Sequence, residues 1–175
     1  NYLFVAAINA TEPPILIEDE SRRIGAITLP PSLLSRIADS PRIVLVRPLE
    51  ERVEFIKEDY VLSVLARTPT ADRTIALCTL ERSLTEALQR IGKRLGDQRL
   101  RVTSALLQAA FEAHRNHDDS TLHNRWIELL LNEYYDPSYL RQLSNHRNTI
   151  VAEGTEPELL NALKNRTLPP LRSAL

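Results

Sequence analysis

Two short apolar runs constrain this chain most. Ile15-Leu16-Ile17 and residues 42–46, "RIVLV", are too short for helices and rich in β-branched side chains. Runs of that length and composition read as strands buried on both faces. Such strands belong to a parallel sheet covered by helices, because a solvated face would impose apolar–polar alternation. The segments around them agree. Pro30-Pro31 ends an extended stretch, and Pro31 suits the first turn of a helix over about 32–38. "LEERVEFIKEDYVLSVL" follows the second run, with Leu49, Val53, Ile56, Tyr60 and Val64 at spacings of four, three, four and four. That is a helical stripe. Residues 1–67 therefore read as an α/β unit with alternating strands and helices. The apolar residues 2–9, "YLFVAAIN", read as the tail of a helix.

Thr68-Pro69-Thr70 marks a boundary, and residues 68–165 read as mostly helical. Leu80, Leu84, Leu88, Ile91 and Leu95 form one stripe. Val102, Leu106 and Ala110 form a second after Gly96-Asp97, and Leu122, Trp126, Leu129 and Leu130 a third. Asp119-Ser120-Thr121 offers caps for that third helix, and "YYDPSY", 134–139, breaks it. "NTIVAEG", 148–154, is a short strand returning to the sheet. Thr155, Pro157 and Glu158 open a last helix, with Glu158 three residues past the cap. Residues 166–175, with Pro169-Pro170, read as a disordered tail.

The net charge of −1 advertises neither nucleic acid nor membrane, so an electrostatic partner must be read by a local patch. A single cysteine excludes an intramolecular disulfide framework and suits a reducing, cytoplasmic setting. No apolar run approaches the ~18 residues of a membrane span, and no signal peptide is recognisable. A chain that opens Asn-Tyr-Leu-Phe without methionine is expected to be part of a longer protein.

The first strand ends in three acids, Glu18, Asp19 and Glu20, followed by Arg22 and Arg23. A carboxylate at such a strand end can hold a nucleotide-bound magnesium, and Glu18, Asp19 and Glu20 have the right type and place for it. Two guanidiniums just beyond suit phosphate oxygens. The same residues also suit a solvated loop whose charges pair among themselves. Arg47 and Arg52, at the start of the helix after the second strand, are phosphate-binding candidates. The alternative for Arg52 is a pair with Glu51, Glu54 or other surface acids. "RIGKRLGDQRLR", 90–101, carries Arg90, Lys93, Arg94, Arg99 and Arg101 against one acid, Asp97. Cations crowded at a helix corner suit nucleic-acid phosphates, or a solvated face. Tyr134, Tyr135 and Tyr139 are stacking partners only if the fold brings them close. His114, His117 and His123 fit no closed zinc spacing and read as a polar interhelical loop. Cys78, among apolar residues, reads as a small buried hydrophobe.

"ILIEDESRRIG", "PRIVLVRPLEERVEFIKEDYV", "LQRIGKRLGDQR", "HNRWIELLLNEYYDPSY" and "TIVAEG" together resemble the tRNA 2-selenouridine synthase family, in the region after its rhodanese domain. The "EDESRRIG" and "LLLNEYYDP-Y" segments are the specific ones. The resemblance implies a cytoplasmic tRNA-modifying transferase that exchanges sulfur for selenium in wobble 2-thiouridine through an S-geranylated intermediate. Its co-substrates would be selenophosphate and geranyl diphosphate, with Mg as a further cofactor. It implies a fold in which residues 1–67 are an incomplete P-loop NTPase-like parallel sheet, followed by the mostly α-helical region. The upstream rhodanese and P-loop segments would complete the site, and Cys78 does not match the rhodanese cysteine. Asp19 and Glu20 would then be catalytic, Arg22, Arg23, Arg47 and Arg52 would bind phosphate, and the 90–101 cations would contact tRNA. An open sheet edge would invite self-association. The alternatives are part of a P-loop small-molecule kinase and a non-catalytic helical interaction module.

Overall fold

A computed structural model describes residues 4–8, 15–18, 23–24, 27–69, 72–145 and 149–165. The chain divides into two compact units, residues 1–47 with 141–175, and residues 48–140. The boundary expected at residue 67 therefore falls inside the second unit.

The first unit is α/β. Strands β1 (Phe4–Ile8), β2 (Ile15–Glu18), β5 (Arg42–Leu45) and β6 (Ile150–Gly154) form a sheet in the order β2-β1-β5-β6. β3 (Arg23–Ile24) and β4 (Ile27–Thr28) make a separate short hairpin. Helix α1 (Pro31–Asp39) begins at the expected proline. The β5·β6 pair is parallel, as the sequence predicts, and Val46 N–H extends it to the Gly154 carbonyl at 2.8 Å. Two expectations are corrected. Residues 4–8 are a strand, not the end of a helix, and β1 runs antiparallel to both β2 and β5, so the sheet is mixed. An apolar run without a clear period does not discriminate helix from strand, and strand direction is set by partners far away in sequence.

Helix α8 (Glu156–Lys164) carries the predicted capping box. Glu158 accepts from the Thr155 backbone N–H at 2.7 Å and from its hydroxyl at 2.8 Å, which lowers the Glu158 pKa. Leu159 of α8 packs against Ile43, Val151 and Leu163 in a small core.

The second unit is helical: α2 (Leu49–Lys57), a π-turn (Glu58–Leu62), α3 (Ser63–Arg67), α4 (Arg73–Leu95), α5 (Asp97–His117), α6 (His123–Leu130) and a second π-turn (Leu131–Tyr135). The chain then enters α7 (Asp136–Asn145) without leaving the helical conformation, so "YYDPSY" does not break the helix. Pro137, which has no N–H to give to the helical ladder, lies just past the π-turn, where the hydrogen-bond register already shifts. Leu77, Leu80, Leu88, Leu95, Leu107, Phe111, Trp126 and Ile127 interlock as the core. The α4 and α6 stripes are broadly those seen in the sequence, but on α5 the buried face runs through Thr103, Leu107, Ala110 and Phe111, so Val102, expected on it, is exposed and Leu106 only partly buried. Asp72 caps α4 by accepting from the Thr74 and Ile75 N–H groups at 2.8 and 3.2 Å.

One residue turns α4 into α5. Gly96 has φ 89° and ψ 151°, a conformation essentially restricted to glycine. Apart from its chain neighbours, no atom lies within 4 Å of where its Cβ would be, so the demand is on the backbone and not on space. Just before it, a Cβ on Gly92 would lie 2.9 Å from Leu100, so the two helices touch there through a bare backbone. Gly96→Ala is expected to lower stability by about 1–3 kcal/mol. Urea unfolding checks this, and a wild-type midpoint would show that the corner tolerates a side chain.

Candidate functional site

The α4–α5 corner gathers the predicted cations. Arg90, Lys93 and Arg94 lie on the last turns of α4, Arg99 and Arg101 on the first turns of α5, and all five are exposed. Helix periodicity and the Gly96 turn put them together. Arg99 donates to Glu133 at 2.9 Å. Among the described residues, Arg90, Lys93, Arg94 and Arg101 have no acidic partner. Those four form a cluster of positive charge with no such partner, on a chain whose net charge is −1.

Beside it opens a cleft of about 680 Å³. Leu95, Val102 and Leu129 form its apolar wall, while Gln98, Arg125 and Asn132 present polar groups. Sequence reading did not anticipate the cleft, because its walls come from α5 and α6, about thirty residues apart. The second π-turn supplies Asn132 and Glu133 to its rim.

A buried polar relay runs through the same unit. Trp126 Nε1–H donates to His123 Nδ1 at 3.0 Å. An indole N–H only donates, so His123 carries its proton on Nε2. His123 Nε2 lies 3.2 Å from His114 Nδ1. His114 Nε2 lies 3.3 Å from Arg73 Nη2 and 3.8 Å from Asp118 Oδ1, and Arg73 also pairs with Asp118. Phe111 packs edge-on against His123, with centroids 4.8 Å apart. Burial, with His114 and Lys57 close by, holds the His123 pKa down at about 4. Burial, then Arg73, lowers that of His114. His114 and His123 are therefore core residues and not parts of a polar loop; His117 is the last residue of α5 and exposed.

The other predicted residues are placed as follows. Asp19, Glu20 and Arg22 lie outside the described residues, as does the side chain of Arg23 and the tail from 166. Arg47 donates to Glu156 at 2.7 Å. Arg52 is buried and forks onto both oxygens of Asp136, with Nη1 at 3.0 Å from Oδ2. Tyr134 and Tyr135 stack edge-to-face at 5.0 Å. Cys78 is exposed, contrary to expectation. It sits one residue past Leu77, about 100° around the helix from the core-facing side. Among the described residues no three His, Cys, Asp or Glu side chains converge as a metal site, and no helix is long and apolar enough to cross a membrane.

Residues 1–168 match a family model described as the tRNA 2-selenouridine synthase AAA domain. The chain is 35% identical over 171 residues to a tRNA 2-selenouridine synthase of Marinobacter nauticus, covering 95% of this chain and 47% of that protein. A protein of the same name from Aeromonas salmonicida is 39% identical over 153 residues, covering 86% and 41%. One from Alcanivorax borkumensis is 38% identical over 170 residues, covering 95% and 47%. The chain thus spans less than half the length of these relatives. No solved structure matches it.

Proposed function

The chain belongs to the tRNA 2-selenouridine synthase family, and from that premise we propose that its helical unit supplies a tRNA-contacting surface of such an enzyme. The observation that carries this reading is the α4–α5 corner, where Arg90, Lys93, Arg94 and Arg101 stand exposed without acidic partners among the described residues. Unpaired cations of this kind release counterions from a phosphate backbone on binding, and the gain falls steeply with salt. Arg99 contributes less, because Glu133 already neutralises it.

In the whole enzyme the chemistry would be the exchange of sulfur for selenium in a tRNA 2-thiouridine, with selenophosphate and geranyl diphosphate as co-substrates. Asp19, Glu20, Arg22 and Arg23 enter this reading as the phosphate-facing group, with Asp19 the magnesium candidate, and the acidic strand end would work with a phosphate loop elsewhere in the protein. Arg52 enters it as a positioning residue, because its guanidinium is already bound to Asp136. The family match sets this reading above a small-molecule kinase or an interaction module.

The test is tRNA binding by the full-length enzyme across a salt series, wild type beside Lys93→Ala/Arg94→Ala. The variant is expected to bind about tenfold or more weakly near physiological salt and to lose about two from the slope of log K against log salt. Unchanged affinity and slope in a folded variant would remove the corner from the interface.

A further inference from the structure

The cleft beside the corner has a chemistry of its own. Its wall is apolar: Leu95 is buried, Leu129 half-buried, and Val102, on α5, is 46% exposed. An isolated exposed valine needs no explanation, but one that walls a cleft offers a flat apolar contact. Two carboxamides also line the cleft, Gln98 one turn before Val102 and Asn132 one turn after Leu129, and their side chains make no hydrogen bond among the described residues. Each carries both donors and an acceptor, the complement that reads the edge of a nucleobase. Arg125, exposed at the rim, has no acidic partner among the described residues.

The charge balance discriminates between ligand classes. Asp97, Glu128 and Glu133 also line the cleft, against Arg99 and Arg125. Three carboxylates facing two guanidiniums disfavour a diphosphate or another polyanion inside. They leave room for a neutral ring with a single phosphate held outside, near Arg125. A volume of about 680 Å³ is ample for one nucleotide and lies within the range of small-ligand sites. Of the corner cations Arg99 lines the cleft, while Lys93 and Arg94 lie on the preceding turn of α4 and do not line it.

We infer that this cleft receives one unstacked nucleotide of the bound RNA. Its base lies against Val102 and Leu129, its edge is read by Gln98 and Asn132, and its phosphate is held by Arg125. The inference rests on the tRNA reading above and adds a base-reading subsite to it.

The experiment uses the full-length enzyme and measures tRNA affinity across salt for Gln98→Ala/Asn132→Ala, Val102→Ser and Arg125→Ala. All four side chains are exposed, so the folded state is retained and is checked by circular dichroism. The double amide variant is expected to bind roughly 5- to 20-fold more weakly with an unchanged salt slope, because it touches no phosphate. Val102→Ser is expected to weaken binding in the same way. Arg125→Ala is expected to lower the slope by about one. Wild-type affinity in the amide and valine variants, with Lys93→Ala/Arg94→Ala still impaired, would overturn the cleft assignment and leave the corner standing. Wild-type affinity in that corner variant as well would remove both.

Discussion

Arg52→Ala is expected to destabilise the protein by about 3 kcal/mol, the low end for a buried ion pair, because the carboxylate it strands is only partly buried. Arg52 is 6% exposed, and both its Nη atoms reach the Asp136 carboxylate, 84 residues away in sequence. The pair joins α2 to the point where the second π-turn becomes α7. Asp136→Ala is expected to cost a similar amount, by leaving a buried guanidinium short of its acceptors. Replacing both together, as Arg52→Met/Asp136→Leu, is expected to recover most of the loss, since an apolar pair of similar volume removes both desolvation penalties. Urea unfolding of the three variants checks this. An Arg52→Ala variant within about 1 kcal/mol of wild type would assign the pair the small value of a surface ion pair.

The buried histidine relay makes stability depend on acid. His123 has a folded pKa of about 4 against an ordinary 6.5. Its pKa is depressed on folding, so below pH 6.5 the unfolded chain binds the proton more readily than the folded one. Stability is then complete above about pH 6.5, falls as the pH drops toward 4, and levels off below. The integrated loss from His123 is about 3 kcal/mol, and the depressed pKa of His114 adds in the same direction. The structural reason is plain. Protonating His123 would place an N–H on Nδ1 opposite the Trp126 N–H that now donates to it. His123→Phe should lower stability at neutral pH, because the Trp126 N–H loses its acceptor, yet flatten the decline between pH 6.5 and 4. Identical pH slopes for wild type and variant would take His123 out of the acid response.

Much of this fold was legible locally. The stripe through Leu80–Leu95 requires a helix because apolar side chains every three or four residues can be buried together only on a helical face. The Val102, Leu106, Ala110 spacing located the α5 helix but set its buried face one residue off, since Thr103, Leu107 and Ala110 are the residues that are buried. Thr155, Pro157 and Glu158 announce α8 because a cap is made within one turn of chain. The five cations between 90 and 101 were visible as residues, and the helices on either side of Gly96 kept them together. The histidines were misread, although a signal was present. His114 lies four residues past Ala110 and seven past Leu107, on the buried stripe of α5, and its polarity obscured that position.

What the sequence alone determined is what depends on near neighbours: the helices and the α8 capping box, the short strands β5 and β6, and the charge at the α4–α5 corner. The N-cap of α6, by contrast, is Leu122 and not one of the Asp119-Ser120-Thr121 caps expected for it. Tertiary structure decided what depends on partners far along the chain. β1 became an antiparallel strand, since strand direction is chosen by the strands it pairs with. Arg52 found Asp136 across 84 residues, and α2 packed on α6 although it directly follows β5. The cleft arose because Val102 and Leu129 come from different helices. Helix propensity and capping act within a turn of backbone, while pairing, burial of charge and concavity exist only after distant segments have met.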